Sequence, residues 1–334
     1  MQRAPRVLIS EITDPRFNLA TEDWIFREMA AHTHVLLLWR NSRCVVIGRH
    51  QNPWVECDLE LMRAEGVPAA RRQSGGGAVY HDPGNTNFTF LSPTPEYSRD
   101  RNFGIVLRAL RTLGIEAFRS GRNDILVSTG GEDRKISGNA FKHTRERSFH
   151  HGTLLVEADL DRLGRYLTPA SQRLEARGTR SVPSPVVNLR EIDPRLSHER
   201  ICRALSEAFL EEFAAPEPRD PPEYLDGEVL TAIPSLREYY EKMRAWEWIY
   251  GMTPEFVHSF SPDPAITLDI RVREGVIVAV VVHSVQPEED GLGRLLERGL
   301  SGLRYDGATI AAALPGSVPA RIRTGIAEEI GGIP

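Results

Sequence analysis

Seventeen residues, Arg71-Arg72-Gln73-Ser74-Gly75-Gly76-Gly77-Ala78-Val79-Tyr80-His81-Asp82-Pro83-Gly84-Asn85-Thr86-Asn87, gather two guanidiniums, a triple glycine, a histidine and an acid. Three consecutive glycines give up side-chain packing and carry high backbone entropy, so a folded chain gains from them where something must approach the main chain closely. The segment therefore reads as a binding loop. Its backbone N–H groups suit phosphate oxygens, and Arg71 and Arg72 supply guanidiniums to pair with them. A glycine-rich hairpin with solvated arginines is the plainer alternative. Neither known phosphate-loop pattern fits: there is no Gly-x4-Gly-Lys-Ser/Thr and no Gly-x-Gly-x-x-Gly opening a helix. Instead Ala78-Val79-Tyr80, a turn at Asp82-Pro83-Gly84-Asn85 and Phe88-Thr89-Phe90-Leu91 spell strand, turn, strand, which puts a phosphate site in a β context.

The rest of the chain has the same mixed character. His34–Trp39 and Cys44–Gly48 are short apolar runs separated by Arg40-Asn41-Ser42-Arg43 and read as a hairpin of buried strands. Val106, Leu107, Leu110 and Leu113 keep helical spacing and Gly114 stops them. Strands follow at Asp124–Val127 and near Gly152–Val156, and Ile201, Leu205, Ala208, Phe209 and Phe213 mark another helix. The proline tract 214–222 cannot continue a helix and reads as an exposed connection. Beyond Trp246–Gly251, alternating Ile266, Leu268, Ile270 and Val272, a turn at Glu274-Gly275 and the apolar run Val276–Val282 make a hairpin, followed by a leucine-spaced helix from Leu292 to Leu303. The expected architecture is α+β, a larger domain over 1–251 with a smaller C-terminal α+β domain over 252–334, without regular βαβ alternation. A chain of 334 residues with 41% hydrophobic content supports both cores.

Several functions fall away. A net charge of -5 with a pI near 6.1 argues against a general nucleic-acid binder. No window approaches the length of apolar sequence a membrane span needs. Cys44, Cys57 and Cys202 form no Cys-x-x-Cys pair, so neither a disulfide framework nor a zinc knuckle is indicated. The N-terminus lacks the form of a signal or transit peptide, and a reducing cytoplasm is expected.

A second informative segment is Arg134-Lys135-Ile136-Ser137-Gly138-Asn139-Ala140-Phe141-Lys142. Lys135 stands beside a small-residue turn that leaves room for a ligand, and its compact ammonium suits a phosphate or carboxylate; an exposed strand-end lysine is the plainer reading. His150 and His151 precede an apolar strand as neighbours, so they face opposite sides and at most one reaches a site. His81-Asp82 suggests a catalytic dyad, but no serine or cysteine nucleophile in a recognisable elbow accompanies it.

These segments carry a resemblance. The stretch 71–85, Gly121-Arg122-Asn123-Asp124, Lys135-Ile136-Ser137-Gly138 and Phe149–Leu155 resemble signature segments of the lipoate-protein ligase A family, as do Phe17-Asn18-Leu19-Ala20, Leu38-Trp39-Arg40-Asn41 and Val46–Trp54. The similarity runs along essentially the whole chain. It implies a biotin/lipoyl ligase-like catalytic domain with a smaller accessory domain, and an ATP-dependent enzyme acting in two steps. Lipoate becomes lipoyl-AMP with release of pyrophosphate, and a lysine of an acceptor domain then displaces AMP. By position, Arg72, Gly77, Ala78, Val79 and Tyr80 match the nucleotide-contacting stretch, and Lys135 the catalytic lysine that touches both nucleotide and lipoate. Leu19, Trp39, Arg72, Ser74, Gly77, His81 and His151 are expected around the lipoyl chain. Asp124 is the candidate for a Mg2+ contact. Arg177, Gly178 and Thr179 fall in a loop that corresponds to one closing over the adenylate.

The resemblance also implies acceptors: lipoyl domains of 2-oxoacid dehydrogenase E2 subunits and the glycine cleavage H protein, with Arg71 and Arg122 expected to complement an acidic acceptor surface. The rival functions are a transferase using only preformed lipoyl-AMP, an octanoyl transferase, and a noncatalytic lipoate-binding scaffold. A thioester-using octanoyl transferase would present a cysteine near the active lysine, and here the three cysteines lie outside the signature segments. A repressor-type biotin ligase is disfavoured because the chain starts directly in the catalytic pattern.

Overall fold

The computed structural model describes residues 4–30, 32–121, 123–167, 174–176, 184–213, 219–284 and 290–330. In chain order the strands are β1 (Arg6–Ser10), β2 (Val35–Trp39), β3 (Cys44–Ile47), β4 (Ala69–Arg71), β5 (Val79–His81), β6 (Asn85–Pro93), β7 (Ala117–Arg119), β8 (Asp124–Thr129), β9 (Glu132–His143), β10 (Arg147–Leu155), β11 (Leu174–Ala176), β12 (Glu223–Leu225), β13 (Phe256–Asp263), β14 (Ile266–Arg273) and β15 (Val276–Ser284). Eight of them form one sheet in the order β12-β1-β2-β6-β10-β9-β8-β7, with β1 parallel to its two neighbours and the other pairs antiparallel.

The middle of this sheet is covered on both faces, which is why its strands read as unbroken apolar runs. Leu36, Leu38, Phe88, Phe90 and Leu154 join a core with the helices Arg99–Thr112 and His198–Glu212. Val35, Leu37, Trp39, Leu91 and Phe149 face the other way, toward the helix Pro15–Glu28. Each of these helices starts at a short polar cap. Asp14 accepts from Arg16 N with Pro15 in the first turn, Ser98 accepts from Arg101 N, and Ser197 accepts from Arg200 N. Gly114, at φ +82°, ends the second helix as its sequence suggested.

One expectation is corrected. The apolar runs 34–39 and 44–48 are not a hairpin: β2 pairs with β1 and β6, whereas β3 lies in a separate three-stranded sheet between β4 and β5. Both strands are buried throughout, so neither has a polar face to select its partner. The connection itself goes inward, because Asn41 is fully buried and bonded to Asn18 and His81. For the same reason β5 and β6, read correctly as strand, turn, strand, end in different sheets.

At the C-terminal end β13, β14 and β15 form an antiparallel sheet, and the Glu274-Gly275 turn has both residues at positive φ. β11 adds to this sheet beside β13. Trp54 packs against Phe256 and Tyr305 at ring distances of 5.1 and 5.4 Å, joining this sheet to the rest of the core. Among the described residues no helix is long and apolar enough to cross a membrane.

Candidate active site

The glycine-rich loop runs from the end of β4 to the start of β5 and lies over the end of β3. A Cβ on Gly48 would stand 2.2 Å from the Gly76 carbonyl oxygen, so the loop can lie this low only because both positions are glycine; Gly76 is at φ +90°. Among the described residues, nothing accepts a hydrogen bond from the N–H groups of Gly75, Gly76 or Gly77. Three unpaired donors in succession leave the loop able to receive an anion, the role suggested by the triple glycine. We predict that Gly48→Ala lifts the loop and raises the KM for a phosphate-bearing substrate about tenfold, the scale of roughly one misplaced hydrogen bond to a charged ligand. An unchanged KM in a steady-state assay would count against that role.

The two arginines before the loop have different roles. Arg72 is buried, and its guanidinium donates to Val46 O (3.0 Å), Ser74 Oγ (3.1 Å), Gly75 O (2.7 Å) and Gly77 O (2.7 Å), holding the loop's carbonyls from below. Arg71 has no exposure at all, and donates to the carbonyls of Gly48, Arg49, Gln51 and Ile249 and to Thr253 Oγ1 at 2.8–3.1 Å. The expectation that Arg71 meets an anion or an acidic acceptor is thus wrong. Its charge is spent inside the protein, tying the glycine loop's base to the 249–253 turn. Arg122 and the loop residues Arg177, Gly178 and Thr179 lie outside the described residues.

A cavity of about 310 Å³ opens beneath the loop, between the large sheet and the small one. Its wall brings together Leu19, Trp39, Arg72, Gly77, Ala78, Val79, His81, Asp124, Lys135 and His151. Sequence reading missed Val46, Asn87, Asn123, Asn139, Thr153 and Ser184, which share the wall. Tyr80 is not in it. Side chains alternate along β5, so Val79 and His81 face the cavity while Tyr80 packs into the core, 5.4 Å from the Tyr166 ring.

At the polar end, Lys135 Nζ lies 2.8 Å from Asp124 Oδ1, across the β8–β9 pair. A bulge at Ile136 turns the strand there, and a Cβ on Gly138 would come within 3.2 Å of Lys135 Cε and Nζ. Gly138 therefore makes the space the lysine occupies. The main chain of Lys135 is fixed by bonds to the 185–187 segment, from its N to Pro185 O at 2.8 Å and from Val187 N to its O at 3.1 Å.

The adjacent histidines divide as strand geometry requires. His150 is buried among Phe103 and Phe141 and bonds Asn139. His151 faces the cavity, its Nε2 2.7 Å from Ser74 Oγ and its Nδ1 2.8 Å from Glu22 Oε1. Ser74 is therefore a support behind the wall. Glu22 is the largest omission from the sequence reading. This carboxylate, 1% exposed, also accepts from Thr89 Oγ1 (2.8 Å), which accepts from Trp39 Nε1 (3.2 Å). One network thus links the glycine loop to Trp39. The signal was present, since Leu19, Glu22 and Phe26 share the i, i+3, i+7 spacing of a core-facing stripe.

Burial sets the protonation states. It holds His81 down at about 3 and His198 at about 4, with His150 well below its ordinary value. In the unfolded chain these imidazoles take up protons near pH 6.5, whereas in the folded chain they stay neutral to much lower pH. Their contribution is therefore fully present above pH 6.5 and is lost as pH falls toward the folded values. We predict a melting temperature that drops steadily from pH 7 to pH 5 in scanning calorimetry; a flat profile would contradict this. Cys44, Cys57 and Cys202 are buried with thiols pushed up, Cys202 to about 12, and none lines the cavity. No thiolate is available there as a nucleophile.

Comparison with known proteins agrees with this geometry. A family profile described as "Lipoyl protein ligase A/B catalytic domain" matches residues 14–210. The lipoate-protein ligase A of Psychrobacter cryohalolentis is 48% identical over 312 residues, 92% of this chain and 91% of its own. Plasmodium falciparum LipL1, solved in complex with lipoate, is 30% identical with a TM-score of 0.65, covering 97% of this chain and 98% of its own. A lipoate-protein ligase A structure bound with ATP is 25% identical with a TM-score of 0.61, covering 75% of this chain and 100% of its own. On the family match, the identity and the shared fold, this chain belongs to the lipoate-protein ligase A family.

Proposed function

We propose that this enzyme activates lipoate with ATP and transfers the lipoyl group to lysines of lipoyl domains, those of 2-oxoacid dehydrogenase E2 subunits and of the glycine cleavage H protein. The observation that carries the reading is one cavity lined by two unlike sets of groups: the apolar Leu19, Trp39, Val46 and Val79, and the polar Lys135 and Asp124 together with the glycine loop at Gly76 and Gly77. An apolar acyl chain with a carboxylate head matches the first, and a nucleotide the second.

In the first step the lipoate carboxylate attacks the α-phosphorus. An O–P bond forms, the bond from that phosphorus to the bridging oxygen breaks, and pyrophosphate leaves with the electron pair. Attacker and target are both anionic. Lys135 Nζ and the glycine N–H groups offset that repulsion and stabilise the charge that builds in the transition state, while Arg72 keeps the loop in shape. In the second step the acceptor amine attacks the acyl carbonyl, loses a proton, and expels AMP. No covalent bond to the enzyme is needed, consistent with a cavity without a thiol.

Magnesium on the triphosphate asks for one or two carboxylates. Asp124 fits as a single contact, being the one carboxylate on the described cavity wall. When bound, the ion neutralises phosphate charge. Three buried free thiols suit a reducing compartment, and the cytoplasm is the proposed place of action, with 252–334 as an accessory domain to the catalytic 1–251. Pyrophosphate release from ATP plus lipoate, without acceptor, tests the activation step. If none appears while added lipoyl-AMP is transferred, the enzyme is a transferase only.

A further inference from the structure

A second cavity, of about 410 Å³, shares no wall residue with the active site. The small sheet borders both. Val46 and Val79 are cross-strand partners and line the active-site cavity, whereas Ala69, paired with Val45 one residue out of phase, lines the second. The rest of the second wall comes from the start of the helix Pro15–Glu28, from the helix Leu59–Ala64 and the chain that leads it into β4, and from the 244–250 stretch that ends the helix Pro234–Arg244. Gly66, at φ +66°, turns the chain out of Leu59–Ala64 toward β4.

This wall carries the guanidiniums of Arg16, Arg63 and Arg244 and no carboxylate. The side chains of Arg16 and Arg63 make no hydrogen bond or ion pair with any described residue, and Arg244 has one long bond to Glu241 at 3.4 Å. Asp14, beside Arg16 in the chain, is already used: its oxygens accept from Arg16 N at 2.8 Å and from the Tyr240 hydroxyl at 2.7 Å. Arg63 and Arg244 stand in the last turns of their helices, where a cation suits the carbonyl end. Arg16 has no such reason. It lies in the first turn of Pro15–Glu28, the end of a helix that disfavours a cation and favours an anion. An anion held against all three guanidiniums removes that conflict and offsets their mutual repulsion.

The remaining surface is apolar. Leu59, Met62, Val67 and Ile249 are buried, and the Trp246 and Tyr250 rings stand 5.7 Å apart beside them. An inorganic ion would leave this surface wet, whereas a ligand with an aromatic body would cover it. A phosphate monoester, close to a dianion at neutral pH and with three acceptor oxygens, suits three guanidiniums better than a carboxylate does. We propose that this cavity is a second ligand site, taking a small phosphate monoester with a flat aromatic body. The phosphate lies on Arg16, Arg63 and Arg244, and the body lies against Met62, Ile249, Trp246 and Tyr250. The site stands apart from the ligase reading above.

Calorimetric titration with 1-naphthyl phosphate tests this, with inorganic phosphate and 1-naphthol as its two halves. The parent is expected to bind naphthyl phosphate, and each half about tenfold more weakly or worse, because neither meets both parts of the wall. Arg63 and Arg244 are exposed, so replacing both by Ala spares the fold. That double variant, and separately Arg16→Met, should each weaken naphthyl phosphate about tenfold or more, the scale of a lost charged hydrogen bond. Lys135→Ala, in the other cavity, should leave binding within about twofold. No binding by the parent, inorganic phosphate bound as tightly as naphthyl phosphate, or arginine variants that bind like the parent would each overturn the proposal. So would binding lost with Lys135→Ala and kept in the arginine variants, which puts the probe in the active site. Pyrophosphate release, on which the ligase reading depends, is untouched by any of these outcomes.

Discussion

Lys135→Ala is expected to lower kcat/KM for adenylate formation by about 10²–10³-fold, the usual loss when one preorganised donor to a developing charge is removed. Lys135 Nζ is a cationic group of the cavity wall, and its ion-pair partner among the described residues, Asp124, is itself a wall residue, so it can turn to a phosphate without breaking the fold. Arg72 is different, because its N–H groups already hold loop carbonyls. Lys135→Arg should rescue little, since Gly138 leaves a space fitted to a narrow ammonium, with only 3.2 Å from its ideal Cβ to Lys135 Nζ. The loss should appear mainly in kcat if the lysine acts in the transition state, and single-turnover quench measurements separate this from binding. Near-parental rates for Lys135→Ala would remove the lysine from the mechanism.

Arg71→Met is expected to destabilise the whole protein by about 3–5 kcal/mol, the scale for breaking a buried ionic or hydrogen-bonded network from one side. The methionine replaces the stem but strands the four carbonyls and the Thr253 hydroxyl that the guanidinium now serves. Chemical denaturation read by far-UV circular dichroism measures this directly. A change below about 1 kcal/mol, the usual range for a surface position, would show that Arg71 is not the internal tie described here. Acceptor KM in residual folded protein should not respond to salt differently from the parent, because Arg71 faces no partner.

How much of this could be read from the chain follows from the range of the interactions involved. The glycine loop, the room left by Gly138 beside Lys135 and the opposed faces of His150 and His151 were legible because each depends on neighbours a few residues away, although the turn expected at Lys135–Gly138 is a bulge inside β9. Pairings between distant segments were not. β3 leaves β2 for β4 and β5 because of contacts made by Asn41 and of partners that a uniformly apolar strand cannot announce. Arg71 and Arg72 are identical in sequence terms, and only the carbonyls around each tell one as a structural tie from the other as a cavity wall. Glu22 looked like an ordinary helix acid; its helical spacing with Leu19 and Phe26 placed it inward, but its partner His151 is 129 positions away.

Intact mass spectrometry of a lipoyl domain incubated with the enzyme, ATP, magnesium and lipoate tests the central claim most directly, that one cavity both activates and transfers. The account predicts one lipoyl group added at the acceptor lysine, dependent on ATP and lost with Lys135→Ala. A domain of unchanged mass, with the same preparation able to transfer added lipoyl-AMP, would contradict it.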